Sequence, residues 1–225
     1  MKTTNSLQLK ANAQRLNLTK GEKEAFSLSS ELTDIIIGLV LGDLNIQKDK
    51  RAVNGNARLR FVQGTVHKEY LLEVYELLKD YCSVGPKITT HLPDKKTGIV
   101  HSSIRFSTYS LPCFNFLHGL FYPDGTKIIP QNIAELIKPI GLAFWLMDDG
   151  YWNQVGRYVV LCTESFTPAE VRLLINALNS KWDLKCYEYK RGDSYRIVIP
   201  SYSIPLLRTL VEPHVVPTMR YKIGL

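Results

Sequence analysis

Asp43 and Asp149 stand at the ends of two strongly apolar stretches: residues 34–45 read DIIIGLVLGDLN and residues 140–150 read IGLAFWLMDDG. Each stretch has the length of a short helix, and a helix that is apolar on every side must be buried on every side. An acid at the C-terminal end of such a helix meets the negative end of the helix dipole, which is unfavourable by up to about 1 kcal/mol, and Gly or Asn would end the helix at less cost. Taken singly, each aspartate is an ordinary polar helix end. The same unfavourable choice at two equivalent places points to a compensating cation. Gly38 and Gly42 lie four apart on one face of the first helix, so another backbone can approach closely there. If the two apolar helices pack side by side, their ends meet and bring Asp43 and Asp149 together. Two carboxylates with phosphate oxygens form a hard oxygen site suited to Mg2+, with Gly42 and Asp148 beside them as further candidate ligands. Such a site can activate water and stabilise the leaving oxygen in phosphodiester hydrolysis.

The elements that must position these acids recur as well. After Asp43 come a polar, basic stretch and NARLRFVQ (56–63) with strand alternation, then the amphipathic HKEYLLEVYELLKDY (67–81). After Asp149 comes the strand-like YWNQVGRYVVLCTES (151–165). TPAEVRLLINALNSKW (167–182) follows, with Thr as N-cap, Pro at the first helical position and Glu three residues after the cap. KITTHLP (87–93) and GIVHSSIRFST (98–108) alternate like a hairpin, and so do LKCYEYK (184–190) and SYRIVIP (194–200). Helices LPCFNFLHGLF (111–121) and YSIPLLRTLV (202–211) come next, then loops holding Lys127 and Lys222. Each half therefore reads helix, two strands, helix, two strands, helix. The organisation expected is a basic N-terminal arm (1–30), a first repeat (31–121), a linker rich in Pro (122–139) and a second repeat (140–225).

The 225 residues carry a net charge of +7 and a sequence pI near 9.2, which suggests a polyanionic partner, nucleic acid first. No apolar run nears the roughly 20 residues of a membrane helix, and the four cysteines have no zinc spacing. Residues 1–21 hold four basic residues and no acid, the flavour of a basic arm or of a targeting segment.

IIGLVLGDL (36–44) and LAFWLMDDG (142–150) resemble two copies of the LAGLIDADG nonapeptide of the homing endonucleases. The likeness runs over about residues 30–225 and is to the single-chain, two-repeat type. It implies an α+β fold of two pseudo-twofold-related αββαββα repeats, whose antiparallel four-stranded sheets form a DNA-binding saddle. It implies a monomeric, metal-dependent endonuclease that cuts double-stranded DNA at a long target site and resides in a mitochondrion or chloroplast. Mg2+ is the expected cofactor, with Mn2+ as a substitute and Ca2+ binding without cleavage. Asp43 and Asp149 match the acidic metal-binding positions. Lys127, Lys222 and Gln63 match basic and polar positions that organise the active-site water. The chain departs from the pattern at Glu164, which stands where Gln63 stands in the first repeat, and at Phe144, where the consensus has Gly.

The polar stripes of the strands hold Arg, Lys, Ser and Thr, side chains that reach phosphates and base edges. The residues expected to face DNA are Lys48, Lys50, Arg58, Arg60, Lys87, Thr89, His91, His101, Ser103, Arg105, Arg157, Lys185, Tyr187 and Arg196. Gln63 shares the parity of Leu59 and Phe61, the wrong face for a site on that side, unless Gly64 marks a bulge. The competing reading is a group I intron RNA maturase on the same fold, gripping structured RNA with the same surface. A DNA-binding regulator with a dead site would have little reason to keep both acids.

Overall fold

The computed structural model describes residues 17–49 and 55–225. In chain order the first half forms helices α1 (Lys20–Glu24) and α2 (Ser30–Leu41), strands β1 (Asn45–Lys48) and β2 (Ala57–Gly64), α3 (Lys68–Leu78), β3 (Lys87–Thr90), β4 (Ser102–Ser107) and α4 (Asn115–Phe121). It continues with α5 (Ile133–Leu136), α6 (Pro139–Asp149), β5 (Gly150–Asn153), β6 (Tyr158–Leu161), α7 (Pro168–Trp182), β7 (Tyr187–Arg191), β8 (Ser194–Ile199) and α8 (Ile204–Val211). The expected order helix, two strands, helix, two strands, helix thus occurs twice. Both sheets are antiparallel and share one strand order, β1-β2-β4-β3 and β5-β6-β8-β7.

One compact unit holds the described residues up to Leu28 together with Leu44–His118. Its sheet is covered on one face by α3, which buries Tyr70, Leu71, Val74 and Leu78. Phe61 and Phe106 stack at 4.4 Å on that face, and Tyr75 of α3 meets Phe106 edge-on. Residues 17–28 are not a free arm. A capping box between Thr19 and Glu22 starts α1, Phe26 packs against Tyr81 and Tyr109, and the Tyr81 hydroxyl donates to the Ser27 carbonyl at 2.7 Å. Pairing between β2 and β4 is unbroken from Arg60 opposite Ser107 to Gly64 opposite Ser103, so no bulge forms at Gly64. Gln63 lies opposite the buried Ile104 and keeps the parity of Leu59 and Phe61.

The second unit comprises Ser29–Asp43 and Gly119–Leu225. It therefore takes α2, the first helix of the first repeat, into the core of the second half. Helix α2 starts earlier than the apolar pattern suggests, because Ser29 caps it by accepting the Leu32 N–H at 3.1 Å. It packs along α6, and Ile35 to Leu41 and Gly141 to Met147 are all buried. The expected linker is held firmly. Glu170 accepts the Ile129 N–H at 2.9 Å, and Lys181 Nζ donates to the carbonyls of Ala134 and Ile137 at 2.8 and 2.7 Å.

The two motif helices meet backbone to backbone. A Cβ added at Gly38 would lie 2.0 Å from the Gly141 carbonyl oxygen, and one at Gly141 would lie 2.7 Å from the Asp34 carbonyl oxygen. The contact of Gly38 is with Gly141, three positions before its sequence counterpart Phe144, so the interface is offset between repeats. Gly38→Ala is expected to destabilise the protein by about 3 kcal/mol, because overpacking against a rigid backbone cannot be relieved by a rotamer change. That loss exceeds the helix-propensity gain of about 1 kcal/mol. Urea unfolding of the two proteins checks it; equal midpoints would mean the helices separate at no cost.

Candidate metal and nucleic-acid site

The C-terminal ends of α2 and α6 place the acids differently. Asp149 is the last residue of α6 and is half-buried. Asp43 lies beyond the C-cap Gly42, outside α2, and is exposed. The chain leaves α2 at Gly42 because Asp148 of α6 stands against it: a Cβ on Gly42 would be 2.5 Å from both Cβ and Oδ2 of Asp148. Asp148 then turns the same carboxylate to the backbone of Asp43, whose N–H donates to Asp148 Oδ2 at 3.2 Å. The first acid of the Asp148–Asp149 pair therefore anchors the acid of the other repeat.

Two lysines close the site. Lys127 Nζ donates to the carbonyls of Val40 and Gly42 at 2.7 and 2.9 Å, at the C-terminal end of α2. Lys222, in the 3-10 turns of Pro217–Ile223 and only 8% exposed, donates to the Asp148 carbonyl at 2.8 Å, near the end of α6. Each lysine thus satisfies carbonyls that a helix end leaves unpaired and sets a cation against the negative dipole. Burial lowers the affinity of both lysines for their protons, and the surrounding Asp43, Asp148 and Asp149 oppose that shift. Burial likewise pushes the Asp149 carboxyl up to about 7; Asp43 adds to the rise, and Lys127 and Lys222 offset it only in part. A half-buried acid held beside a second carboxylate, with both lysines near, is an environment short of positive charge.

Among the described residues no three His, Cys, Asp or Glu side chains gather into a metal cage. A hard cation that keeps several waters and takes one or two carboxylates plus phosphate oxygens still fits this donor set, and Mg2+ behaves in that way. Of the residues expected here, Asp43, Asp149, Gly42, Asp148, Lys127 and Lys222 come together. The Gly42 carbonyl is occupied by Lys127 and one Asp148 oxygen by the Asp43 N–H, so these two residues shape the site before they could bind metal. Gln63 is half-buried on the α3-covered side of its own sheet. The sequence reading missed both the anchoring by Asp148 and the capping by the lysines. The available signal was a doubled acid matching a glycine in the other repeat.

The open face of the first sheet is strongly basic. Register places Asn45, Arg60 and Ser107 in one row, Gln47 and Arg58 in the next, Val62, Arg105 and Lys87 in a third, and Ser103 with Thr89 in a fourth. No acid stands among these strand residues, and Arg58, Arg60, Lys87 and Arg105 are exposed. Arg58 is steadied by Gln47 Oε1 at 3.0 Å, and the exposed His91 bonds Ser103 at 2.9 Å; His101, just before β4, is exposed. Lys48 departs from expectation. It pairs with Ala57, so the short edge strand turns it to the other face, where its charge bears on His118. Lys50 lies outside the described residues.

The open face of the second sheet differs. Tyr151, Val160, Val198 and Tyr187 form one row, and Arg196 lies beside Tyr189. Val160 and Val198 are buried, whereas Tyr151, Tyr187 and Tyr189 are exposed. Arg196, expected to reach DNA, is instead bound by Glu164 through Nε and Nη2 and lies over the Tyr151 ring; its side chain is only 13% exposed. Glu164 thus cancels the charge of this row. Lys185 pairs with Asp183 at 2.5 Å, and Arg157, expected to face DNA, is exposed in the β5–β6 turn beside Trp152, off the row of Tyr151.

Residues 33–207 match the LAGLIDADG DNA endonuclease family. The chain belongs to that family. Among LAGLIDADG proteins it is 34% identical over 202 residues to the cytochrome b mRNA maturase bI2 of Debaryomyces hansenii, covering 88% of this chain and 75% of that one. It is 28% identical over 212 residues to the DNA endonuclease I-ChuI of Chlamydomonas applanata, covering 88% and 96%. The solved homing endonuclease I-WcaI, bound to its DNA recognition sequence, superposes with a TM-score of 0.83 at 28% identity, over 92% of this chain and 95% of that one. Relatives of this chain thus include both an mRNA maturase and a DNA endonuclease.

Proposed function

We propose that this chain is a site-specific endonuclease that hydrolyses phosphodiesters of double-stranded DNA at a long target site, acting as a monomer. The observation that carries the proposal is the carboxylate pair Asp43 and Asp149 at the adjoining ends of α2 and α6, with Lys127 and Lys222 set against them. In this reading the two carboxylates and phosphate oxygens hold Mg2+, or Mn2+ in its place. The bound metal supplies an acidified water and charge stabilisation for the leaving oxygen. Asp148 fixes the backbone of Asp43, and the lysines limit the repulsion between the acids. The basic rows of the first sheet and the tyrosine rows of the second contact the duplex, which fits the DNA-bound state of I-WcaI. An organellar location accompanies this reading through the relatives.

The test is incubation of the purified chain with DNA carrying the intronless junction of its host gene. Linear product should form with Mg2+ and none with chelator, while Ca2+ should support binding alone. The second reading, an intron RNA maturase, is favoured by the likeness to bI2. Tight junction binding without a cut in Mg2+ or Mn2+, together with faster splicing of the intron, would establish it and remove the endonuclease.

A further inference from the structure

A cleft of about 540 Å³ opens in the second unit between the β5–β6 turn, the start of α8 and the C-terminal residues. Its volume lies in the range of small-ligand sites, about 300–1,000 Å³. Trp152 forms one wall. Its ring is backed by the Arg208 guanidinium at 5.5 Å, which is fixed in turn by the carbonyls of Ile223 and Gly224 at 2.8–2.9 Å. Tyr202 also lines the cleft and is 72% exposed. Arg157 and Ser201 stand at the rim, and no acid lines the cleft. Gln154 accepts the Trp152 Nε1–H at 2.7 Å through its oxygen, which leaves its amide nitrogen to donate.

An exposed ring, a cation at the rim, an amide donor and the absence of acids match an aromatic base with its phosphate. Bases stack on tyrosine, and arginine holds the phosphate. Trp152 has the opposite parity to Tyr151, so this cleft does not share the open face that carries Tyr151 and Arg196. We infer that the cleft is a site for one unpaired nucleotide of a single strand, separate from the duplex-binding face. The inference stands whether or not the protein cuts DNA, because it rests on the cleft alone.

The experiment uses the full chain with a 5′-fluorescein 12-mer of single-stranded RNA, and the same sequence as single-stranded DNA, followed by anisotropy with saturating unlabelled duplex present. The single strand should remain bound. Tyr202→Ala should weaken it about tenfold, the loss of one stacked base. Tyr202→Phe should bind within about twofold of the wild type, since the ring is kept. Arg157→Asn, tolerated because Asn adopts the positive φ of 52° found there, should lower the salt dependence. An equal response from both strands assigns the site to base and phosphate, and a response from RNA alone adds the 2′-hydroxyl. Wild-type binding of both strands by Tyr202→Ala, or full displacement of the strand by duplex, overturns the inference. Unchanged duplex binding by Tyr202→Ala shows that the variant is folded.

Discussion

Asp149→Asn is expected to lower Mg2+-dependent cleavage by at least about a thousandfold while making the metal-free protein more stable above pH 7. On the proposed function, the first effect follows from removing one of the two carboxylates that would hold the metal. The second follows from burial and from Asp43, which together push Asp149 up to about 7 from 3.8. A carboxyl raised in the folded state contributes its full stability below the unfolded value and loses it as pH rises through the folded one. Between about pH 4 and pH 7 the unfolded chain sheds this proton and the folded chain keeps it, so stability falls. At pH 8 the metal-free wild type carries an ionised, half-buried acid beside a second carboxylate. With 1.36 kcal/mol per pKa unit, the variant should gain on the order of 2–4 kcal/mol there and almost nothing at pH 4. Urea titrations at both pH values check this, and Mg2+ should stabilise the wild type more than the variant. A variant less stable than the wild type at pH 8 would mean that the acid pair is already compensated without metal.

Lys222→Met should produce the second-largest loss, a fall in cleavage rate of about 10²–10³, with the acid limb of the pH–rate profile displaced to higher pH. Lys222 holds the Asp149 carboxyl down. Without it the acid gives up its proton later, and metal binding, which needs the carboxylate, begins at higher pH. Met keeps the length and buried stem of lysine, so the fold should survive. The Asp148 carbonyl loses its donor, a cost of about 1–3 kcal/mol, partly returned because no ammonium is buried. Lys127→Met removes the equivalent cap from Val40 and Gly42 and should act alike. A reduced rate with an unmoved pH profile would make the lysine a structural cap only.

These residues also show how far local pattern reaches. The repeated order of elements, the buried motif helices, the acids at their ends and the late lysines could all be read from periodicity and repetition, which are local signals. What escaped depended on partners far along the chain. Asp148 takes the Asp43 N–H across 105 positions, and Arg196 meets Glu164 across 32. Both residues match ordinary expectations until their neighbours are known. The polar, basic stretch after Asp43 does not announce a four-residue edge strand, and it is the register of that strand that turns Lys48 to the other face. The early start of α2 rests on Ser29, a cap within a run of polar residues that offers several candidates.

The alliance of α2 with α6 also sets an order of events at the ribosome. Helix α2 is complete about a hundred residues before its partner helix has been made. At 5–20 residues per second the interval is about 5–20 s. Throughout it, seven consecutive buried residues, Ile35 to Leu41, have no native surface to cover them. The amino-terminal half is translated first, yet the helix that leads into Asp43 is among the last of its segments to reach its place.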